Sequence, residues 1–583
     1  MSVSAERRAT DASPRHAGPR FRLSAVPRHL GGATLLWSML FVALLPVVYL
    51  LFSSFNISEI GTPYRFGFDN WIEVLAAPGT GRAIVNTLIL STRVIFAFIA
   101  ALGISWSLVR WQIPARRFVE VSLWIAFFLP SVPIAMAWIL LLHKDYGLIN
   151  AALGLVPFMP KHLFSIHSLA GIMWVYGTIA TTPFLTIIFT PVFRQMDAAF
   201  EETARVNGAD QLQTVRRIVL PILLPALLIG LLATFIRSLE SFEVEQIIGV
   251  PARIFVFTTR IYDFTHEIPP LYNQAMALGS LFLVIVVALA AVQVAYIRLR
   301  PVGIISRGQN ARRTISARRG SRLAVTVAIV GFVLVAVYLP LATLLLASFT
   351  KVFGFFGMRD PWTMAHWLRV FADARFLVAV RNSFVFGGVV AVLAMPLYLR
   401  LGWILARSAG SRLGALAAAL LWLPWALPGF AFGLAILDLL LKVDILAPLY
   451  GTAVPIIFTM LIREMPVGVQ LLKVAVEQHG RELEDAAAVA GASPLATFQR
   501  ITLPMLSPTM VSVFIIVFAA VVKEIGTIVL LAGPGTETLA MLMFDYANEG
   551  HAESSAVIGV LFALAAAALS FAVGRRLVLA GPR

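Results

Sequence analysis

Apolar runs of about twenty residues, the length a helix needs to cross a bilayer core, recur along almost the whole of this 583-residue chain. Within lipid, backbone N–H and C=O groups must be satisfied inside the spanning structure itself. Runs of this length therefore predict a bundle of membrane helices. Composition agrees, with 59% hydrophobic and 13% charged residues against about 25% charged in soluble domains. The formal charge of +16 invites a nucleic-acid reading, but its placement argues otherwise. Most of the 46 Lys and Arg fall in tails and loops on one side of the expected membrane, and Arg93 and Arg463 lie within spans. That is the positive-inside pattern, so the expected surroundings are a lipid bilayer and no nucleic acid. Cysteine is absent, which excludes disulfides, thiolate zinc sites and iron–sulfur ligation.

Residues 1–32 hold six Arg and no apolar run and read as a basic cytoplasmic tail. The first span is expected at about 33–55, too long for the core of a cleaved signal peptide. Residues 56–81 form an external loop in which Asn70-Trp71-Ile-Glu-Val-Leu reads as a short interfacial helix. Further spans are expected at about 82–109, at 118–142 with kinks at Pro130 and Pro133, at 169–189, at 218–239, and in a sixth ending near 297. Residues 298–322 carry eight Arg and no acid and read as an inner linker.

The second half then repeats the first. Pro46 and Ser54-Phe55 return as Pro340 and Ser348-Phe349, and Trp71 and Asn86-Thr87 as Trp367 and Asn382-Ser383. Trp106 and Arg110 return as Trp403 and Arg407, and Thr182-Pro183 as Met465-Pro466. Six spans bring the chain back to its starting side, so the two copies are parallel repeats about an axis along the membrane normal. The expected fold is all-α and polytopic, about twelve transmembrane helices in two six-helix domains, 33–297 and 323–583.

One inner loop is duplicated in fine detail. Glu202-Thr203-Ala204-Arg-Val-Asn-Gly208 is followed after nine residues by Ile218-Val-Leu220-Pro221. Asp485-Ala486-Ala487-Ala-Val-Ala-Gly491 is followed after nine residues by Ile501-Thr-Leu503-Pro504. The offsets 491 − 208 and 504 − 221 both equal 283. Ala and Glu favour helix and Gly ends one, while Leu-Pro suits the entry to a new helix. The spacing resembles the EAA loop of binding-protein-dependent ABC importer permeases, here at about 194–221 and 474–504. That resemblance implies a short cytosolic helix in each half that docks a partner ATPase. Thr203 stands where Ala is usual, and Asp485 where Glu is usual.

A phosphate-cradling loop needs Gly directly before Lys, and none of Lys144, Lys161, Lys351, Lys442, Lys473 and Lys523 follows a glycine. The chain is expected to be no enzyme and to hold no cofactor, ATP being bound by the partner. The whole pattern is similar to the fused permeases of the ferric-iron and thiamine transport group. Glu240-Ser-Phe-Glu243 and Gly533-Pro-Gly-Thr-Glu-Thr-Leu539 resemble the iron branch. The resemblance implies two ATPase copies, a periplasmic or extracellular substrate-binding protein, and alternating access in a bacterial inner membrane with both termini cytoplasmic.

Ionisable groups at membrane depth cost at least about 2.5 kcal/mol and usually face a cavity or a partner. Arg463 and Glu464, just before Pro466, read as an ion pair along one helix or as a pathway contact. Glu240, Glu243 and Glu524, with Asp263 and Asp545 further on, read as outer-mouth carboxylates suited to a cationic cargo. A solvated loop that contacts the binding protein explains them equally well. Ferric iron is the expected solute, with thiamine, a polyamine or an aminoalkylphosphonate as alternatives. No metal ligand set is assigned, and His266 beside Glu267 reads as loop surface. An ion-driven secondary transporter would share the twin bundle but would not need matched docking loops.

Overall fold

The computed structural model describes residues 26–58, 62–111, 113–158, 160, 162–196, 199–299, 319–356, 358–408, 411–479 and 482–579. Most of the basic tail and of the Arg-rich linker lies outside the described residues. Among the described residues the only β features are two single bridges, Asn56 with Phe66 and Thr350 with Trp362. Among the described residues eight helices are long and apolar enough to span, and up to twelve if each of four sharply bent pairs is one span.

The first half comprises α1 (Val26–Ser54), α2 (Asp69–Ala76) and α3 (Thr80–Arg110). It continues with α4 (Arg116–Phe128), α5 (Ser131–Leu142), α6 (Leu169–Arg194) and α7 (Ala199–Val206). It ends with α8 (211–239), α9 (Phe257–His266) and α10 (Tyr272–Leu299). The second half runs α11 (319–347), α12 (Ala365–Ala372), α13 (Ala374–Arg407), α14 (Arg412–Ala426) and α15 (Gly429–Lys442). It closes with α16 (Ala453–Arg463), α17 (Met465–His479), α18 (Glu482–Val489), α19 (494–523), α20 (Leu539–Asn548) and α21 (Ala552–Leu579). The interfacial helix expected from the sequence is α2.

The repeat holds at the level of single contacts. Phe55 stacks on Trp71 at 5.5 Å and 25°, and Phe349 on Trp367 at 5.6 Å and 25°. Asn86 Nδ2 donates to Phe255 O at 2.9 Å, and the Phe257 amide donates to Thr87 Oγ1 at 2.9 Å. Their twins do the same: Asn382 Nδ2 donates to Gly535 O and Glu537 O, both at 2.9 Å, and the Leu539 amide to Ser383 Oγ at 2.8 Å. In each half the second span thus grips the start of the helix that follows the fifth.

The halves exchange their first helices. Helix α1 packs on α10 of its own half and on α15 of the other, while α11 packs on α5. Gly279 against Ala431 and Gly559 against Pro133 let α10 and α21 approach these partners closely. A polar pin holds α1 to α15, with Tyr49 Oη donating to Asp438 Oδ2 at 2.9 Å and Lys442 Nζ 3.0 Å from the same oxygen.

Two expectations are corrected. The third span is broken rather than kinked: α4 and α5 meet at 106°, and α14 and α15 at 91°. A proline pair marks where the ladder fails but not how far the chain turns. Leu-Pro also does not start a new helix. Helix α8 begins at Gln211 and α19 at Pro494, and each reaches its Leu-Pro through a π turn, 215–219 or 498–502. All five π turns among the described residues, also at 177–181, 245–249 and 334–338, are followed two residues on by proline. The residue before the proline bonds five positions back. This widened turn makes room for a ring that would otherwise strike the carbonyl four residues earlier.

Candidate functional site

Helices α7 and α18 form the first part of the site. Each runs into a glycine with positive φ, +82° at Gly208 and +81° at Gly491. The Ala209 amide bonds Ala204 O at 3.0 Å, and the Ala492 amide bonds Ala487 O at 2.9 Å. This six-residue closure around a left-handed glycine satisfies the last carbonyls of a short helix. Ala204 and Ala487 are buried, Thr203, Asp485 and Ala486 are exposed, and Glu202 is half-exposed. Ile218, Leu220, Ile501 and Leu503 are half-buried, whereas Pro221 and Pro504 are exposed. Val206 at 88% and Val489 at 90% exposure stand out as matched apolar projections. Beside α7 lies a groove of about 550 Å³ lined by Phe200, Thr203, Asn207, Gln213, Arg217 and Ile218, among others.

Each helix is tied to the second span by the acid that immediately precedes the acid of the loop motif. Glu201 Oε1 accepts from Arg110 Nε at 2.7 Å with both side chains buried, and Glu484 Oε2 accepts from Arg407 Nη2 at 2.5 Å. Glu202 and Asp485, one residue on, face outward. The signal was present in the sequence: 484 − 201 is again 283, and Arg110 and Arg407 were already a matched pair.

The second part is a buried ionic layer where the halves meet. Arg463 Nη2 lies 3.1 Å from Glu240 Oε2, and Nη1 lies 2.9 Å from Glu524 Oε1 and also donates to the Thr527 hydroxyl. Arg237 Nη1 holds the other Glu240 oxygen at 3.0 Å. Glu524 Oε1 accepts further bonds from the Thr527 amide and hydroxyl at 3.0 and 2.7 Å. Glu464 is buried close enough to Arg237, Arg463 and Lys523 to feel their charge. Lys523 Nζ donates to Phe127 O at 2.8 Å. A Cβ at Gly429 would collide with the Arg463 guanidinium, so bare backbone at the α14–α15 break provides its seat. Subtracting 283 from 463 gives Ala180, so one arginine serves both halves.

Arg463 therefore does not pair with Glu464. Successive helical residues point about 100° apart and do not face each other, and the helix bends by 44° there. Arg93 has its own partner, Glu245 Oε1 at 3.7 Å, and lies 4.3 Å over the Tyr176 ring. Glu243 accepts from Tyr176 Oη at 3.5 Å. Glu240 and Glu524 are thus tied to guanidinium groups rather than displayed at an open mouth. Among the described residues no group of three His, Asp or Glu is arranged to hold a metal ion. Aromatic rings pack beside this layer, Phe242 contacting Phe430 at 5.5 Å and Phe544 at 5.8 Å across the halves.

Asp263 and Asp545 sit apart, on α9 and α20. Burial pushes the Asp263 carboxyl up, opposed by Arg260 at 3.4 Å. Burial, reinforced by Glu537 and Glu549, pushes Asp545 up to about 6. His266 is exposed and stacks on Tyr262 at 3.9 Å.

Residues 93–300 and 398–579 match the family described as "Binding-protein-dependent transport system inner membrane component". A ferric transport system permease protein, FbpB, of Actinobacillus pleuropneumoniae is 24% identical over 65% of this chain and 55% of its own length. The chain thus spans just over half of that relative. A probable sulfate transport system permease protein, cysT, of Chlorella vulgaris is 28% identical over 37% of this chain and 80% of its own. A solved bacterial ABC transporter involved in alginate import aligns with a TM-score of 0.39 at 20% identity, over 46% of this chain and 93% of that one. With both halves matched, the chain belongs to the binding-protein-dependent transport system inner membrane component family.

Proposed function

We propose that this chain is the translocation subunit of a binding-protein-dependent ABC importer, powered by a separate ATPase that docks on α7 and α18. The observation that carries this reading is the matched pair of short helices at one end of the bundle. Each is closed by a left-handed glycine and carries one highly exposed valine, Val206 or Val489. Two docking helices call for two ATPase copies, which bind the ATP, and an external binding protein delivers the solute. The docking end is then cytoplasmic, as are both termini, with domains at 33–297 and 323–583 joined by 298–322. Alternating access follows if ATP closure draws α7 and α18 together and parts the halves at the Arg463 layer. This requires that the ATPase bind the two states with different affinity.

Ferric iron is the proposed solute, supported by the ferric permease relative. A second reading is an oxyanion, favoured by the sulfate permease relative and by Arg237, Arg463 and Lys523 in the Arg463 layer. The test is uptake into proteoliposomes holding the chain, its ATPase and its binding protein. ATP-dependent uptake of radioactive ferric iron, undiminished by excess sulfate, is expected. Sulfate uptake without iron uptake selects the oxyanion, and uptake that persists without any ATPase overturns the importer reading.

A further inference from the structure

We propose that the second span of each half, α3 or α13, is a connecting rod between the docking helix and the helix that follows the fifth span. In this proposal Arg110 and Arg407 are its inner pins, and Asn86-Thr87 and Asn382-Ser383 its outer pins. The proposal rests on the docking role of α7 and α18 given above.

At the inner end, the pin is the last residue of the rod in both halves: Arg110 ends α3 and Arg407 ends α13. Each docking helix has eight residues and packs on the start of the helix that follows it. Helix α7 buries Glu201 and Ala204 among its described side chains, and α18 buries Ala487 and half-buries Glu484. So short a helix has no stable pose of its own, and the ion pair sets where it sits. Arg110 also donates from Nη2 to Met196 O at 2.9 Å, the residue that caps α6. The second-half anchor instead reaches the fifth span, Glu484 Oε1 accepting from Thr502 Oγ1 at 3.4 Å.

At the outer end, two consecutive side chains of each rod hold the chain leading into α9 or α20 and the first amide of that helix. At about 1.5 Å per residue, 31 residues of α3 and 34 of α13 span on the order of 45–50 Å. One span therefore reaches both faces, interrupted only at Thr92 in α3 and carrying Pro396 in α13, and it is pinned at each end by side chains that recur in both halves. Displacing a docking helix moves the rod, and the rod moves α9 or α20, which carry Asp263 and Asp545. These pins are positioning residues.

The second-half pins are the ones to test, since the Arg407–Glu484 pair is partly exposed, 15% and 28%, and tolerates change better than its buried twin. The full chain, with its ATPase and binding protein in nanodiscs, would carry Glu484→Gln, the exchange Arg407→Glu with Glu484→Arg, or Asn382→Ala with Ser383→Ala. Three readouts are ATPase retention on co-purification, basal hydrolysis, and stimulation of hydrolysis by the loaded binding protein. The outer double change is expected to leave retention and basal rate intact while stimulation falls about tenfold, within the usual range of coupling between sites. Glu484→Gln is expected to lower stimulation likewise, and the exchange to restore it. A spin label at Val489→Cys, the chain having no other cysteine, is expected to gain mobility in Glu484→Gln and lose it again in the exchange. Undiminished stimulation in the outer variant, or an exchange no better than the single change, overturns the connecting-rod role. Failure of the unmodified chain to retain any ATPase overturns the docking reading with it, and is told apart because no variant is needed to see it.

Discussion

Arg463→Met removes a guanidinium that pairs with carboxylates from both halves. Arg463 is 4% exposed and its two ion-pair partners Glu240 and Glu524 are 5% and 15% exposed. Stripping one partner from a buried pair costs about 3–5 kcal/mol, because the charge left behind is uncompensated. Here the residue is partly cushioned, since Glu240 keeps Arg237 and Glu524 keeps both Thr527 donors. The low end, about 3 kcal/mol, is therefore expected. If the layer parts when the pathway opens, the whole loss falls on the closed state, and its population ratio to the open state shifts roughly 100-fold. The assay places Cys at Phe242 and Phe430, whose rings lie 5.5 Å apart across the halves, and measures joining by a short bifunctional thiol reagent. Arg463→Met should slow cross-linking and raise ATP hydrolysis in the absence of binding protein. Adding Glu240→Gln and Glu524→Gln should recover much of the lost thermal stability, because the orphaned charges go with the arginine. Unchanged cross-linking together with an unchanged melting temperature would refute the claim that this layer holds the halves shut.

Gly208→Ala and Gly491→Ala should each weaken the docking loop by about 1 kcal/mol, the penalty of a left-handed L residue. No atom lies within 4 Å of either added Cβ, so hydrogen exchange should quicken at residues 207–209 or 490–492 while the spans keep their protection. Gly468→Ala should lower the melting temperature of the whole bundle through an overpacking cost of about 1–3 kcal/mol, since its Cβ meets the fully buried Tyr398 ring. A melting curve superposable on the parent would show that this crossing has slack. Asp545 has its folded pKa raised from 3.8 to about 6, so the folded state binds the proton more tightly and the parent gains stability as pH falls through that window. Asp545→Asn should therefore be more stable than the parent at pH 7.5 and lose that advantage by pH 5; equal melting differences at both pH values would contradict the shift.

What the sequence disclosed depended on how local the cause was. Span positions follow from apolar run length alone, and the docking helices from a spacing that local capping chemistry requires. Glu202 and Asp485 complete the motif, whereas the inward turn of the helix falls on Glu201 and Glu484. Proline positions were visible, but whether a proline widens a turn, as at Pro221, or breaks a span, as at Pro130, depends on packing from other helices. The partners of Arg463 were beyond reach for the same reason. Glu240 lies 223 residues away, and only the closed bundle brings the two together.

The Arg463–Ala180 asymmetry has a consequence for assembly. Two copies of the second half would bring two Arg463 side chains to the layer, and two copies of the first would bring none, leaving Arg237 alone with Glu240. With each opening helix lodged in the opposite half, neither portion completes its own interior. A covalent tether thus supplies unlike halves at a ratio of one to one and favours their pairing over that of like halves.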